Sequence, residues 1–197
     1  MKKLILLFIL ISGFAFGQKE KKIKGEYSIK LVSVDAKIKN GTIDSEINSY
    51  KDSIISITWN YLESQISFKL KNETNETIKV NWNDAVIIDI EGKTKKIFHK
   101  DIKYIDREKE QSPTSIYKGA ILSDLLSPIE NVYFASGKYG GWTTTPIIRF
   151  KKNFWNEQIY DTEIVGKKIR TALPLIIDDK TVEYLFEFEI VFKENKK

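Results

Sequence analysis

From position 182 to 192 every second residue is large and apolar: Val182, Tyr184, Phe186, Phe188, Ile190 and Phe192. Glu183, Glu187 and Glu189 fill most of the positions between. A β-strand sends successive side chains to opposite faces, whereas a helix would spread these six residues around its whole circumference. The segment therefore reads as a strand with its apolar face on a core and its acidic face in water. The same period recurs along the chain, in Tyr27, Ile29 and Leu31, in Ile55, Ile57 and Trp59, in Ile66, Phe68 and Leu70, and in Ile78, Val80 and Trp82. By strand parity Trp59 and Trp82 belong to the core.

Turn residues punctuate these runs. The polar stretch 72–76 separates two alternating strands and reads as a hairpin turn. Its two Asn-x-Thr sequons, at Asn72 and Asn75, are read as turn chemistry. Residues 85–90 and 93–99 form a second hairpin around Glu91-Gly92, where glycine accepts a positive φ without steric cost. Residues 100–113 are charged and end in Ser112-Pro113, a loop; 114–117, 120–126 and 131–135 are short strands. The 182–192 strand is expected to pair with 168–177 across Asp178-Asp179-Lys180, with Pro174 marking an edge or a bulge. Segments 41–52 and 151–160 suit a short helix or an irregular loop. No stretch carries a convincing helical stripe. The fold class expected is all-β, a single antiparallel immunoglobulin-like β-sandwich, with a β-barrel or jelly roll as the alternative.

The first 17 residues have a different character. Lys2 and Lys3 precede an apolar run from Leu4 to Ile11, and Ala15-Phe16-Gly17 places small residues before Gln18. That is the order of a secretory signal peptide, and the run is short for a membrane span. An uncleaved anchor is the other reading. The expected organisation is a signal peptide, 1–17, followed by one domain, 18–197, with no membrane span after cleavage and a periplasmic or extracellular address. Losing Lys2 and Lys3 takes the formal charge from +5 to +3. Only Arg107, Arg149 and Arg170 are arginines, and the lysines are interspersed with acids, a pattern that disfavours nucleic acid as partner. With no cysteine, disulfides, thiolate zinc sites and thiol nucleophiles are excluded together.

The run from Ile66 to Trp82, an alternating strand, an Asn-x-Thr turn and a second alternating strand, resembles immunoglobulin-like sandwich modules of bacterial envelope proteins. Ile116, Gly119 and Asp124 are spaced as in the Ile-x-x-Gly-x-x-x-x-Asp strand pair of those modules. Trp82-Asn-Asp-Ala, Phe98-His99 and Gln111-Ser-Pro113 are similar to a group of uncharacterised exported bacterial proteins with such a domain. The resemblance covers roughly residues 54–145 and implies fold and compartment. It brings no catalytic residue with it.

Little in the chain points to catalysis. His99 is the only histidine, so a Ser–His–Asp triad would need it, oriented by Asp101 or another acid. The plainer expectation is a histidine at a strand end, bonded to backbone or half exposed. Asp89, Glu91, Asp178 and Asp179 sit near turns where calcium takes oxygen ligands, yet they are also ordinary turn residues. No metal and no cofactor is expected. The segment 133–142 stands apart, because it sets Tyr133, Phe134, Tyr139 and Trp142 among glycines in a loop. Aromatic faces with a polar handle suit sugar rings, peptides or partner surfaces; in the other reading Tyr133, Phe134 and Trp142 plug one end of the sandwich and Gly140-Gly141 makes the turn. The expected function is an exported cell-envelope binding or structural module that takes a protein or glycan through Lys138, Tyr139 and Trp142, with loop 100–113 second. A small carboxylate-dependent glycoside hydrolase and an inhibitor of exported enzymes are the alternatives.

Overall fold

The computed structural model describes residues 23–38 and 40–195; the expected signal peptide, 1–17, lies outside them. Sixteen strands are present among the described residues: β1 (Gly25–Ala36), β2 (Thr42–Asp44), β3 (Ser49–Lys51), β4 (Ile55–Tyr61), β5 (Ile66–Asn72), β6 (Ile78–Val80), β7 (Val86–Ile88), β8 (Thr94–His99), β9 (Thr114–Ile116), β10 (Ile121–Pro128), β11 (Val132–Ala135), β12 (Gly141–Thr144), β13 (Lys168–Ala172), β14 (Leu175–Ile177), β15 (Lys180–Val182) and β16 (Tyr184–Glu194). Two short 3-10 turns, Tyr104–Asp106 and Ile129–Asn131, are the only helical elements among those residues. The fold is all-β, and every strand pair is antiparallel.

Ten strands form one curled sheet in the order β1-β16-β13-β7-β8-β10-β5-β4-β3-β2. The sheet turns its corner at β10, which pairs with β5 over Ile121–Leu126 and with β8 over Leu126–Pro128. The two halves then face each other across aromatic contacts: Trp59 on β4 meets Phe186 and Phe188 on β16, with ring centroids at 4.9 and 5.8 Å. Tyr50 on β3 meets Phe186 at 6.0 Å. Each of these rings is buried, and burying one stabilises the fold by about 1.5–3 kcal/mol.

The far edges nearly close the sheet into a barrel. Asn48, in the β2–β3 turn with φ 52°, donates from Nδ2 to the Ile29 carbonyl and accepts from the Leu31 amide at Oδ1, both at 2.8 Å. Its carboxamide thus supplies to β1 what a neighbouring backbone would supply. Ser45 Oγ adds a bond to the Leu31 carbonyl at 2.6 Å. The fold lies between the expected sandwich and its barrel alternative. A four-stranded sheet, β15-β14-β6-β9, buries Ile78, Val80, Ile116 and Leu175 in the same core.

Several expectations are corrected. Strands β5 and β6 do not pair as a hairpin: β5 lies between β4 and β10, and β6 between β14 and β9. Asn72 is the reason. It is fully buried and donates to the carbonyls of Glu76 and Ile116 at 2.7 and 2.9 Å, so the chain arches from one sheet into another. The 168–177 segment divides at Pro174, which has no amide hydrogen to continue a ladder. Before it, β13 pairs with β16; after it, β14 pairs with β15, so Val182 is not on the long strand. Asp178 and Asp179, at φ 46° and 58°, make the β14–β15 turn. Segment 41–52 is neither helix nor loop but the β2–β3 hairpin, and 133–142 is a hairpin rather than a loop. The β7–β8 hairpin has the expected turn, with Gly92 at φ 81°. Trp59 and Trp82 are core residues.

Candidate functional site

Strands β11 and β12 form a two-stranded hairpin of their own. Its base is pinned by Asn131, whose side-chain nitrogen donates to the carbonyls of Thr145 and Pro146, both at 3.2 Å, and by buried Val132. Its tip turns over 136–140, where the Gly140 amide donates to the Gly137 carbonyl at 2.9 Å. A Cβ on Gly140 would collide with the Ala135 carbonyl, so this turn requires glycine there.

The register sets Phe134 opposite Trp142, and their rings meet edge to face at 5.6 Å. Trp142 also contacts Tyr104 at 5.9 Å, and Tyr104 contacts buried Phe98 at 5.7 Å. A line of four rings thus runs from the core to the surface. Arg107 lies over the Trp142 ring at 5.2 Å from its centroid, a cation–π distance. Its Nη1 donates to the Tyr104 carbonyl at 2.7 Å, Nη2 lies 3.4 Å from Glu108, and Nε is buried without a partner. The hairpin and the charged loop 100–113, two separate sequence expectations, therefore form one surface.

The loop is held at both ends. Gln111 is buried; its amide nitrogen donates to the Ile97 carbonyl at 2.8 Å and its Oε1 accepts from the His99 amide at 3.1 Å. Lys100 N donates to Asp124 at 2.9 Å. A rigid frame under exposed aromatics lowers the ordering cost of binding.

Of the three residues singled out from sequence, Trp142 is 42 % exposed and joins this cluster. Tyr139 is 92 % exposed at the hairpin tip, with Lys138 Nζ 5.4 Å from its ring. Tyr139 has no ring partner among the described residues, so tip and cluster are two adjoining features rather than one. Tyr133 and Phe134 are also exposed, and the alternative in which these aromatics plug the sandwich is corrected. Sequence reasoning missed Tyr104 and Arg107, whose only signal was an aromatic and an arginine inside a lysine-rich loop.

His99 is buried rather than half exposed. Its ring stacks on Trp82 at 4.3 Å, and Nδ1 lies 3.2 Å from Asp124, the acid that orients it in place of Asp101. No serine hydroxyl bonds this ring among the described residues. Asp89 spends one carboxylate oxygen on the amides of Glu91 and Lys93, both at 2.9 Å, and lies 3.6 Å from Lys95 with the other, which is turn chemistry. Recesses of 370–490 Å³ open on the described surface, and residues 131–145 line none of them. No helix among the described residues is long and apolar enough to cross a membrane. Compared with known proteins, the chain matches no family model, no curated protein and no solved structure.

Proposed function

We propose that this chain is an exported cell-envelope binding module that captures a protein or glycan on the β11–β12 hairpin and the loop beside it. One observation carries the reading: large aromatics held in water by a rigid frame. Tyr133, Phe134, Tyr139 and Trp142 are all exposed, with Arg107 and Lys138 beside two of the rings. Exposed apolar residues in isolation are ordinary, but four exposed aromatics on one short hairpin, two of them in mutual contact, are the pattern of a recognition surface. Tyrosine, tryptophan and arginine are also the side chains that dominate binding hot spots. Function on such a scaffold resides in what the loops present.

The test compares the wild-type chain with Tyr139→Ala/Trp142→Ala in co-sedimentation with isolated cell-wall glycan and with envelope protein fractions. Retention by one fraction at least tenfold above the variant is expected, which corresponds to loss of about 1.4 kcal/mol of binding. Equal retention of both proteins in every fraction would refute the assignment.

A further inference from the structure

A second aromatic projection, unconnected with the hairpin, lies in residues 151–159. Lys152 bridges to Gln158, Ile159 N donates to the Lys151 carbonyl at 3.0 Å, and Asn153 N donates to the Glu157 carbonyl at 2.9 Å. The segment is a finger rather than the helix or irregular loop expected. Phe154 and Trp155 form its tip, 90 % and 76 % exposed, and touch each other edge to face at 5.2 Å. Asn153 Oδ1 accepts from the amides of Trp155 and Glu157 at 2.9 and 3.0 Å, and Asn156 takes φ 62°. At the base, Tyr27 stacks on Phe150 at 4.5 Å, donates from its amide to Gln158 Oε1 at 2.7 Å, and donates its hydroxyl to the Ile159 carbonyl at 2.7 Å. The two aromatics are thus held out in solvent by a built turn on an anchored base.

Three basic side chains flank this tip. Arg149, Lys151 and Lys152 are exposed and have no acidic partner among the described residues. Of the acids near the segment, Glu157 pairs with Lys24 at 2.7 Å, while Glu63 lines the recess beside Arg149 and Lys152 and Asp161 follows the finger. Tyr160 N donates to the Ile23 carbonyl at 2.9 Å. An open recess of about 440 Å³ borders the same segment, walled by Ile29, Leu62, Ile147 and Phe150, with Arg149, Lys152 and the acid Glu63 also lining it.

We infer that the 151–159 finger seats the protein on an anionic lipid surface, Phe154 and Trp155 entering the interface while Arg149, Lys151 and Lys152 meet the phosphates. Tryptophan and phenylalanine favour the headgroup–acyl boundary, and basic residues near it are attracted to anionic lipid. This goes beyond the binding reading of the hairpin and uses none of its residues.

The test uses the chain purified from an exporting host, floated with phosphatidylcholine vesicles with or without phosphatidylglycerol. Wild type floats with the anionic vesicles, less so as salt rises, and brominated lipid quenches part of its tryptophan emission. Phe154→Ser/Trp155→Ser lowers partitioning about tenfold, Lys151→Glu/Lys152→Glu removes the preference for phosphatidylglycerol, and Trp155→Phe abolishes the quenching. Since the substituted side chains are exposed, the thermal midpoint reports whether each variant stays folded. The inference is overturned if wild type does not float, if the double serine variant floats equally well, if quenching persists in Trp155→Phe, or if the tip instead mediates a dimer that sedimentation detects without vesicle binding.

Discussion

Asp52 is the place to press on the fold. Its carboxylate is 7 % exposed and accepts four bonds, from the amides of Ile54 (2.7 Å) and Ile55 (2.8 Å) and from the hydroxyls of Tyr50 (3.0 Å) and Tyr184 (2.9 Å). Tyr50 comes from β3 and Tyr184 from β16, so one carboxylate ties the facing halves of the sheet together. Asp52→Ala strands all four donors where water does not reach three of them, since Ile55, Tyr50 and Tyr184 are buried. At about 1 kcal/mol or more for each unmet donor, the loss is about 4–6 kcal/mol, a large share of a domain's usual 5–15 kcal/mol. Adding Tyr50→Phe and Tyr184→Phe to Asp52→Ala removes two of the stranded donors and should recover about 2 kcal/mol, because deleting both partners of a bond costs less than deleting one. Urea unfolding at constant m measures both steps. A loss under about 1 kcal/mol, or phenylalanines that only deepen it, would refute the clamp.

Burial, with the neighbouring Asp52 adding to it for two of them, pushes the phenols of Tyr50, Tyr184 and Tyr61 well above the ordinary tyrosine range. The neutral forms are the ones folded, so their contribution is intact below about pH 10 and is lost above it, by up to about 1.4 kcal/mol per pH unit for each phenol. Urea midpoints from pH 9 upward should fall accordingly, and less steeply in Tyr184→Phe. Asn48→Ala should cost about 2 kcal/mol, through two lost bonds and a strained backbone, and should speed hydrogen exchange at the Leu31 amide more than at the strand interior. Tyr139→Ala should leave the thermal midpoint unchanged, whereas Trp142→Ala, which removes contacts to Tyr104, Phe134 and Arg107, should lower stability by about 1 kcal/mol.

Much of the strand content was legible because one-faced burial leaves a period of two. Phe186, Phe188 and Ile190 on one side and Glu187 and Glu189 on the other assign β16 to a core without reference to any partner. Partners are another matter. Nothing local in Gly25–Ala36 says that it pairs with β16, because that register is set by packing between residues far apart in the chain. The β5–β6 arch was misread for a related reason: an Asn-rich turn serves a hairpin and an arch equally well, and the choice falls to a buried contact between Asn72 and Ile116. At the candidate site, Trp142 and Tyr139 were visible as aromatics among glycines. Tyr104 and Arg107 were not, since their role arises only when loop 100–113 folds back onto the hairpin. The finger at Phe154-Trp155 broke the alternation that guided the reading, and that break was its one signal.

Strand β1 has its long ladder with β16, which also borders β13. Without residues 184–194 the sheet lacks the plank between two others and four core side chains, Tyr184, Phe186, Phe188 and Ile190. The β1–β16 ladder joins residues roughly 150 positions apart, so closing it is a slow, long-range step of folding. Deleting residues 184–194 would remove a central stave.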